Sequence, residues 1–307
     1  MKRLLTETLA ATALIAPAAS TLADSPAEAS VQQAIAAPDK SGRIAVNGIN
    51  YYYEIRGKGE PVLLLHGGLG SSDMFAPLLP TLTKQRQVVL VDLQGHGRTE
   101  LGTRKFNLDA MGEDMNGLLQ KLGYQQIDVF GYSLGGGVGF RLAAQHPERV
   151  RRLVLVSAGY SSDGFYPEIK AQQVQMNADA FQFMKDTPMY KGYVAVAPKP
   201  DDFPRLLAEI GDFMRKDYDY SADVAKLKMP VMLVFGDSDM YRPEHVIKFY
   251  QLLGGGLKDA GWMRENLSQN RLAILPNHTH YDIFLAPELV TTALPFLNGD
   301  TKASAWQ

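Results

Sequence analysis

The sequence predicts an α/β protein: a mostly parallel, twisted sheet of about eight strands, flanked by helices, with a small helical cap after the sixth strand. Three observations predict it. Continuous apolar runs such as "PVLLLHGG" (61–68) and "QVVLVDL" (87–93) lack polar alternation, as strands covered on both faces do. Stretches with helical periodicity separate these runs, so strand and helix alternate, as right-handed crossovers between parallel strands require. One long excursion, residues 160–222, then breaks the alternation with aromatic residues at helix-like spacing, too long for a bare loop.

The elements follow in order. "RIAVNGINYYYEIRG" is two β-rich runs around Asn47-Gly48, a hairpin signal that places antiparallel strands at one sheet edge. After the strand at 61–68 comes a helical pattern over 72–84, then the strand at 87–93. "NLDAMGEDMNGLLQKLG" (107–123) is a helix with Asn107 as N-cap, Gly123 beyond its last turn and a stripe of Leu108, Met111, Met115, Leu118, Leu119 and Leu122. "IDVFGYS" (127–133) is a strand, "SLGGGVGFRLAAQH" a helix stopped near Pro147, and "RRLVLVSAG" (151–159) the next strand. In the excursion, Pro188, Pro198, Pro200 and Pro204 divide the helical stretches, and most of the aromatics fill its own core. "PVMLVFGDSD" (230–239), a helix from Pro243, "NRLAILPNHTH" (270–280) and a helix near 286–297 complete the series. Residues 252–262, "LLGGGLKDAGW", read as a surface loop.

At 307 residues the chain is long enough for a substantial core, and 46% hydrophobic with 21% charged residues is ordinary globular composition. A formal net charge of −2 gives no electrostatic reason to expect nucleic acid as a partner. The absence of cysteine excludes disulfides, thiol catalysis and thiolate-bound metals. Residues 1–23 combine Lys2 and Arg3, a short Leu/Ala-rich stretch and small residues up to Ala23, the pattern of a signal peptide. Export to the periplasm or medium is therefore expected, with 24–42 as a linker, 43–159 and 223–300 as the two parts of the core and 160–222 as the cap. No later stretch has the roughly 18 apolar residues that span a bilayer.

Chemistry concentrates at "GYSLGGG" (131–137). Ser133 falls at a strand-to-helix junction with Gly131 and Gly135 two residues away on either side, the G-x-S-x-G arrangement of a sharp, strained turn. A phosphate-binding loop is the rival. No lysine follows the glycines, and a G-x-G-x-x-G match from Gly135 meets Phe140 where its last glycine belongs. Gly136 and Gly137 have no task in the turn and are assigned to close helix–sheet packing. A serine nucleophile needs a base and oxyanion donors. "LLLHGGLGSS" offers the N–H of Gly68, and the turn offers that of Leu134; His66 is read as ordering its loop. "GDSD" offers Asp237 and Asp239, and "PNHTHYD" offers His278 and His280, both at strand ends. "HTHYDI" also comes within one residue of a zinc-ligand string, with Ile283 where a histidine is needed.

With "HGGLG", "DLQGHGRT", "GYSLGGG", "GDSD" and "PNHTHYD" in this order, the chain resembles the α/β-hydrolase fold superfamily over about residues 43–298. The order Ser, Asp, His is that superfamily's own. The resemblance implies Ser133 as nucleophile, Asp239 closing a G-x-x-D turn as orienting acid, and His280 a few residues past Pro276 as base, with Asp237 and His278 as alternates. It implies that Asp92 and Arg98 brace the loop after the fourth strand and that His96 is structural. The serine excludes the aspartate-nucleophile members, haloalkane dehalogenases and soluble epoxide hydrolases. The implied activity is cofactor-free hydrolysis of a small, largely apolar ester. Lactonase, thioesterase, C–C hydrolase, aminopeptidase or acyltransferase chemistry would use the same groups, and a hydrolase-like binding protein is the alternative from another class.

Overall fold

A computed structural model describes residues 37–300. The predicted leader and most of the predicted linker lie outside the described residues. Eight strands form one sheet in the order β1-β2-β4-β3-β5-β6-β7-β8. They are β1 (Lys40–Val46), β2 (Ile49–Arg56), β3 (Glu60–Leu65), β4 (Arg86–Val91), β5 (Ile127–Tyr132), β6 (Val150–Val156), β7 (Val231–Ser238) and β8 (Arg271–Thr279). β1 and β2 form the expected hairpin, with positive φ at both Asn47 (47°) and Gly48 (85°), the turn geometry that matches strand twist. β2 is antiparallel to β4, and all later pairings are parallel. The side chains of the central strands are buried on both faces, which is why their sequences read as unbroken apolar runs.

The predicted helix over 72–84 forms as two pieces, a 3-10 turn at Ser72–Phe75 and the single helical turn α1 (Leu79–Leu82). Pro77 and Pro80 each lack an N–H, which prevents a continuous run of helical hydrogen bonds. α2 (Leu108–Leu122) has the predicted ends: the Asn107 side chain accepts the Ala110 N–H, and Gly123 takes the left-handed conformation at φ 86°. α3 (Leu134–Gln145) follows β5 directly. α1 and α10 (Pro287–Leu297) pack together, while α2 packs on α3.

Strand order explains where a site must form. From β3 the chain moves to β4 on one side, yet β5 lies on the other side of β3. With right-handed crossovers, this reversal puts the intervening helices on opposite faces. A crevice is left between the loops that leave the C-terminal ends of β3 and β5. Those are the loops carrying His66-Gly67-Gly68 and Ser133.

The excursion between β6 and β7 is helical, as predicted. It contains α4 (Pro167–Gln173), α5 (Phe181–Met184), α6 (Pro188–Val196), α7 (Phe203–Met214) and α8 (Ser221–Val224), so helical structure runs two residues past the predicted boundary at 222. Fully buried Phe203 is its hub, with the rings of Phe181, Tyr190 and Tyr193 at 6.3, 5.0 and 4.9 Å. α7 rests on the loop that leaves the C-terminal end of β4. Leu206 approaches Gly95, and Arg205 donates to the Gly102 carbonyl at 2.7 Å. The excursion is therefore anchored at the end of the sheet where Ser133 lies. α9 (Pro243–Leu252) ends in the predicted surface loop, turned by positive-φ Gly254 and Gly256 and exposing Leu257 and Trp262.

Candidate active site

The turn after β5 depends on close backbone contact. Ser133 has φ 52° and ψ −117°, outside the allowed regions for an L-residue. Its N–H donates to the Val156 carbonyl (2.9 Å), and its own carbonyl accepts the Gly137 N–H (3.0 Å), so β6 and α3 hold it from both sides. A Cβ on Gly131 would lie 2.4 Å from the Gly135 carbonyl oxygen, and one on Gly135 would lie 2.1 Å from that of Leu65. Backbone opposes both, so no side chain can yield. Gly136 is pressed against Ala158 just beyond β6, consistent with helix–sheet packing. Gly137 corrects that expectation: it faces Leu108 of α2, a contact between helices.

Ser133 Oγ lies 3.0 Å from His280 Nε2, and His280 Nδ1 lies 3.2 Å from Asp239 Oδ1. A carboxylate only accepts, so Nδ1 carries the proton and Nε2 is free to accept from the serine hydroxyl. The Asp239 side chain is 1% exposed and that of His280 7%. Asp239 Oδ1 also accepts the Tyr241 N–H at 3.3 Å, and Oδ2 accepts the Ser157 hydroxyl. The Tyr132 hydroxyl donates to the His280 carbonyl at 2.5 Å, tying the residue before the serine to the loop after β8. Burial raises the Tyr132 phenol well above its ordinary value and keeps it a neutral donor.

The two alternates are not part of this line. Asp237 is exposed and makes no side-chain hydrogen bond among the described residues. His278 points to Asp282 and Glu288, at 3.7 and 3.9 Å. With both ring nitrogens of His280 facing Asp239 and Ser133, "HTHYDI" does not gather its histidines around one point. Gly68 and Leu134 are on the two loops that border the crevice, and the N–H of neither has a hydrogen-bond partner among the described residues. Gly67, beside Gly68, borders Ser133: a Cβ on it would lie 3.4 Å from the Ser133 Cβ.

Loop-bracing residues surround the site as expected. His66 is fully buried; its Nδ1–H donates to the Gly67 carbonyl (2.8 Å) and its Nε2 accepts the Leu93 N–H (2.9 Å), joining the loops after β3 and β4. Asp92 accepts the N–H groups of Ser72 and Arg98, both at 2.7 Å, and Arg98 continues to Asp73. His96 is buried against His66 and Phe106. Ser157 and Tyr132 went unrecognised in the sequence. Ser157 belongs to no spacing motif and Tyr132 fills a variable position of G-x-S-x-G, and their partners lie 82 and 148 residues away.

The alpha/beta hydrolase fold family matches residues 60–188, which include the β3 loop, the loop after β4 and the Ser133 turn. This match, together with the eight-stranded and mostly parallel sheet, supports the α/β-hydrolase superfamily for this chain. It is 36% identical over 129 residues to a 2-hydroxymuconate semialdehyde hydrolase of Pseudomonas sp. (strain CF600). That match covers 40% of this chain and 46% of the relative, so the chain spans less than half of that protein's length. Among solved structures, a thermophilic esterase from Thermogutta terrifontis is similar with TM-score 0.65 and 22% identity, over 85% of this chain and 98% of that one. An enol-lactonase from Burkholderia xenovorans LB400 has TM-score 0.63 and 22% identity, over 84% and 100% of the two chains.

The elbow contacts predict opposite outcomes at two glycines. Gly135→Ala should cost about 1–3 kcal/mol, because a backbone carbonyl occupies the space of the new methyl group. Gly68→Ala, with nothing within 4 Å, should change stability by less than about 0.5 kcal/mol. Urea denaturation of both variants measures the difference, and equal costs would contradict the contact geometry. The buried imidazoles predict a pH dependence. Burial lowers His66, takes His96 down to about 3 and takes His245 down to about 4, against an unfolded value of 6.5. The unfolded chain binds protons that the folded protein refuses, so stability is full above pH 6.5 and falls as pH drops towards 4. Denaturation at pH 7.5 and about 5.5 should show that loss; equal or higher stability at about pH 5.5 would count against it.

Proposed function

We propose that the protein is a serine hydrolase that cleaves a carboxylic-ester-type bond of a small, largely apolar substrate through an acyl-enzyme. The observation that carries this reading is the continuous hydrogen-bonded line from Ser133 through His280 to buried Asp239, built on a strained turn at the sheet's topological switch point. An ordinary hydroxyl is a weak nucleophile at neutral pH, and His280 Nε2 is placed to accept its proton as Ser133 Oγ attacks the carbonyl carbon. Asp239 holds the imidazole with Nδ1 protonated and stabilises the positive charge that forms. The N–H groups of Gly68 and Leu134 take the oxyanion, supported by their lack of other partners among the described residues and by the start of α3 at Leu134. Collapse of the tetrahedral intermediate expels the alcohol, which takes the proton from His280. Water, deprotonated by the same imidazole, then attacks the acyl carbon, and Ser133 Oγ departs with that proton as the acid is released. Every step uses groups of this chain.

An apolar substrate is supported by the aromatic surroundings of His280, whose ring lies 5.5, 6.5 and 5.6 Å from those of Tyr132, Tyr241 and Tyr281. We take the helical excursion as a cap over this end of the sheet, on the support of its seat on the loop after β4. Similarity to an esterase, a lactonase and a semialdehyde hydrolase supports hydrolysis and leaves the bond class to experiment.

A panel of p-nitrophenyl esters of varied chain length, run beside lactones and aminoacyl amides, tests the reading. Ser133→Ala should lower kcat by at least about 10³-fold on the best substrate. Asp239→Asn should lose most activity and Asp237→Asn little. Undiminished turnover by Ser133→Ala would refute the mechanism, and stoichiometric ligand binding without turnover would favour a binding protein. The leader makes a separate prediction of export: intact-mass measurement should find the exported protein beginning near Asp24, whereas an N-terminus at Met1 would refute cleavage.

A further inference from the structure

Ser157 follows β6 directly, is fully buried and has φ 49°, a left-handed conformation that glycine or asparagine would adopt more easily. Its N–H donates to the Val234 carbonyl of β7 at 2.8 Å, so the strained backbone is fixed in place. Its hydroxyl donates to Asp239 Oδ2. Together they set a buried side-chain donor against the one carboxylate oxygen that His280 does not use.

The groups facing that carboxylate come from three elements. His280 Nδ1–H and the Tyr241 N–H both reach Oδ1, leaving Ser157 as the donor to Oδ2 among the described residues. The phenols of Tyr132, Tyr241 and Tyr281 are near enough to interact with its charge, and burial keeps those of Tyr132 and Tyr241 neutral. A buried carboxylate oxygen without a donor is costly and tends to rotate towards whatever donor remains.

We propose that Ser157 is a positioning residue for the reaction proposed above, on which this inference rests: its hydroxyl pins Asp239 Oδ2, so that Oδ1 alone is presented to His280. The strain at Ser157 is then the consequence of needing a hydroxyl where the backbone alone would favour glycine. The hydroxyl also takes up part of the carboxylate charge that faces the imidazole.

Glycine separates this role from a structural one. Ser157→Gly relieves the backbone conformation, so a merely structural role predicts unchanged or higher stability with unchanged kinetics. The positioning role predicts that Ser157→Gly melts no lower than Ser157→Ala, yet loses about 10- to 100-fold in kcat with KM within about twofold. With the donor gone, the undispersed carboxylate charge favours the imidazolium, so the acid limb of the kcat/KM profile should move to higher pH. Should either variant fail to fold, Ser157→Cys keeps the volume with a weaker donor and should show a smaller change in the same direction. Ser133→Ala serves as the control. Turnover surviving in it would overturn the hydrolase reading itself. Wild-type kcat and pH profile in Ser157→Gly, with Ser133→Ala inactive, would overturn the positioning role alone.

Discussion

The site depends on the backbone conformation at Ser133, and that conformation depends on how closely three segments of main chain approach. The Leu65 carbonyl at the end of β3 crowds Gly135 at the start of α3, and the Gly135 carbonyl crowds Gly131 in β5, at distances that leave no room for a Cβ on either glycine. The Gly135 N–H donates to the His66 carbonyl at 3.0 Å, so the same contact that excludes side chains ties the turn to the neighbouring loop. A positive φ at a non-glycine residue survives only where its surroundings over-determine it. Here the hydrogen bonds from β6 and α3 do so, and the serine side chain is directed away from the core.

A second constraint is the burial of a charge. Asp239 is removed from water and must find its donors within the protein. It receives them from His280, the Tyr241 backbone and Ser157, which belong to the ends of β8, β7 and β6. Exposed Asp237 has no such need, which is why the acid position two residues further along is the one built into the site. Burial and orientation are therefore the same requirement. The carboxylate has one low-energy arrangement, and that arrangement fixes the tautomer of His280.

Much of this was legible in the residues. The apolar runs, the Asn47-Gly48 turn and the Asn107 and Gly123 caps located the elements because each rests on local backbone preferences. The split at 72–84 was harder to read: the apolar periodicity continues through Pro77 and Pro80, whose missing N–H groups decide the outcome. Gly136 and Gly137 are adjacent and chemically identical, yet α3 turns one to the sheet and the other to α2. No sequence spacing separates them.

By itself the sequence determined the order of strands and helices, the sharp turn at Ser133 and the short set of acids and bases able to serve it. These depend on contacts within a few residues or on chain order. The family resemblance put Asp239 ahead of Asp237 and His280 ahead of His278. What the tertiary structure adds is the physical reason, since neighbouring strand ends bury Asp239 and His280 side by side while His278 turns to Asp282 and Glu288. It also added Ser157 and Tyr132, whose partners lie across the sheet in three dimensions and far along the chain. Local preference writes a turn into its own residues. A hydrogen bond between strand ends leaves no mark on either partner's neighbourhood in the sequence, because the packing of the sheet brings the two together.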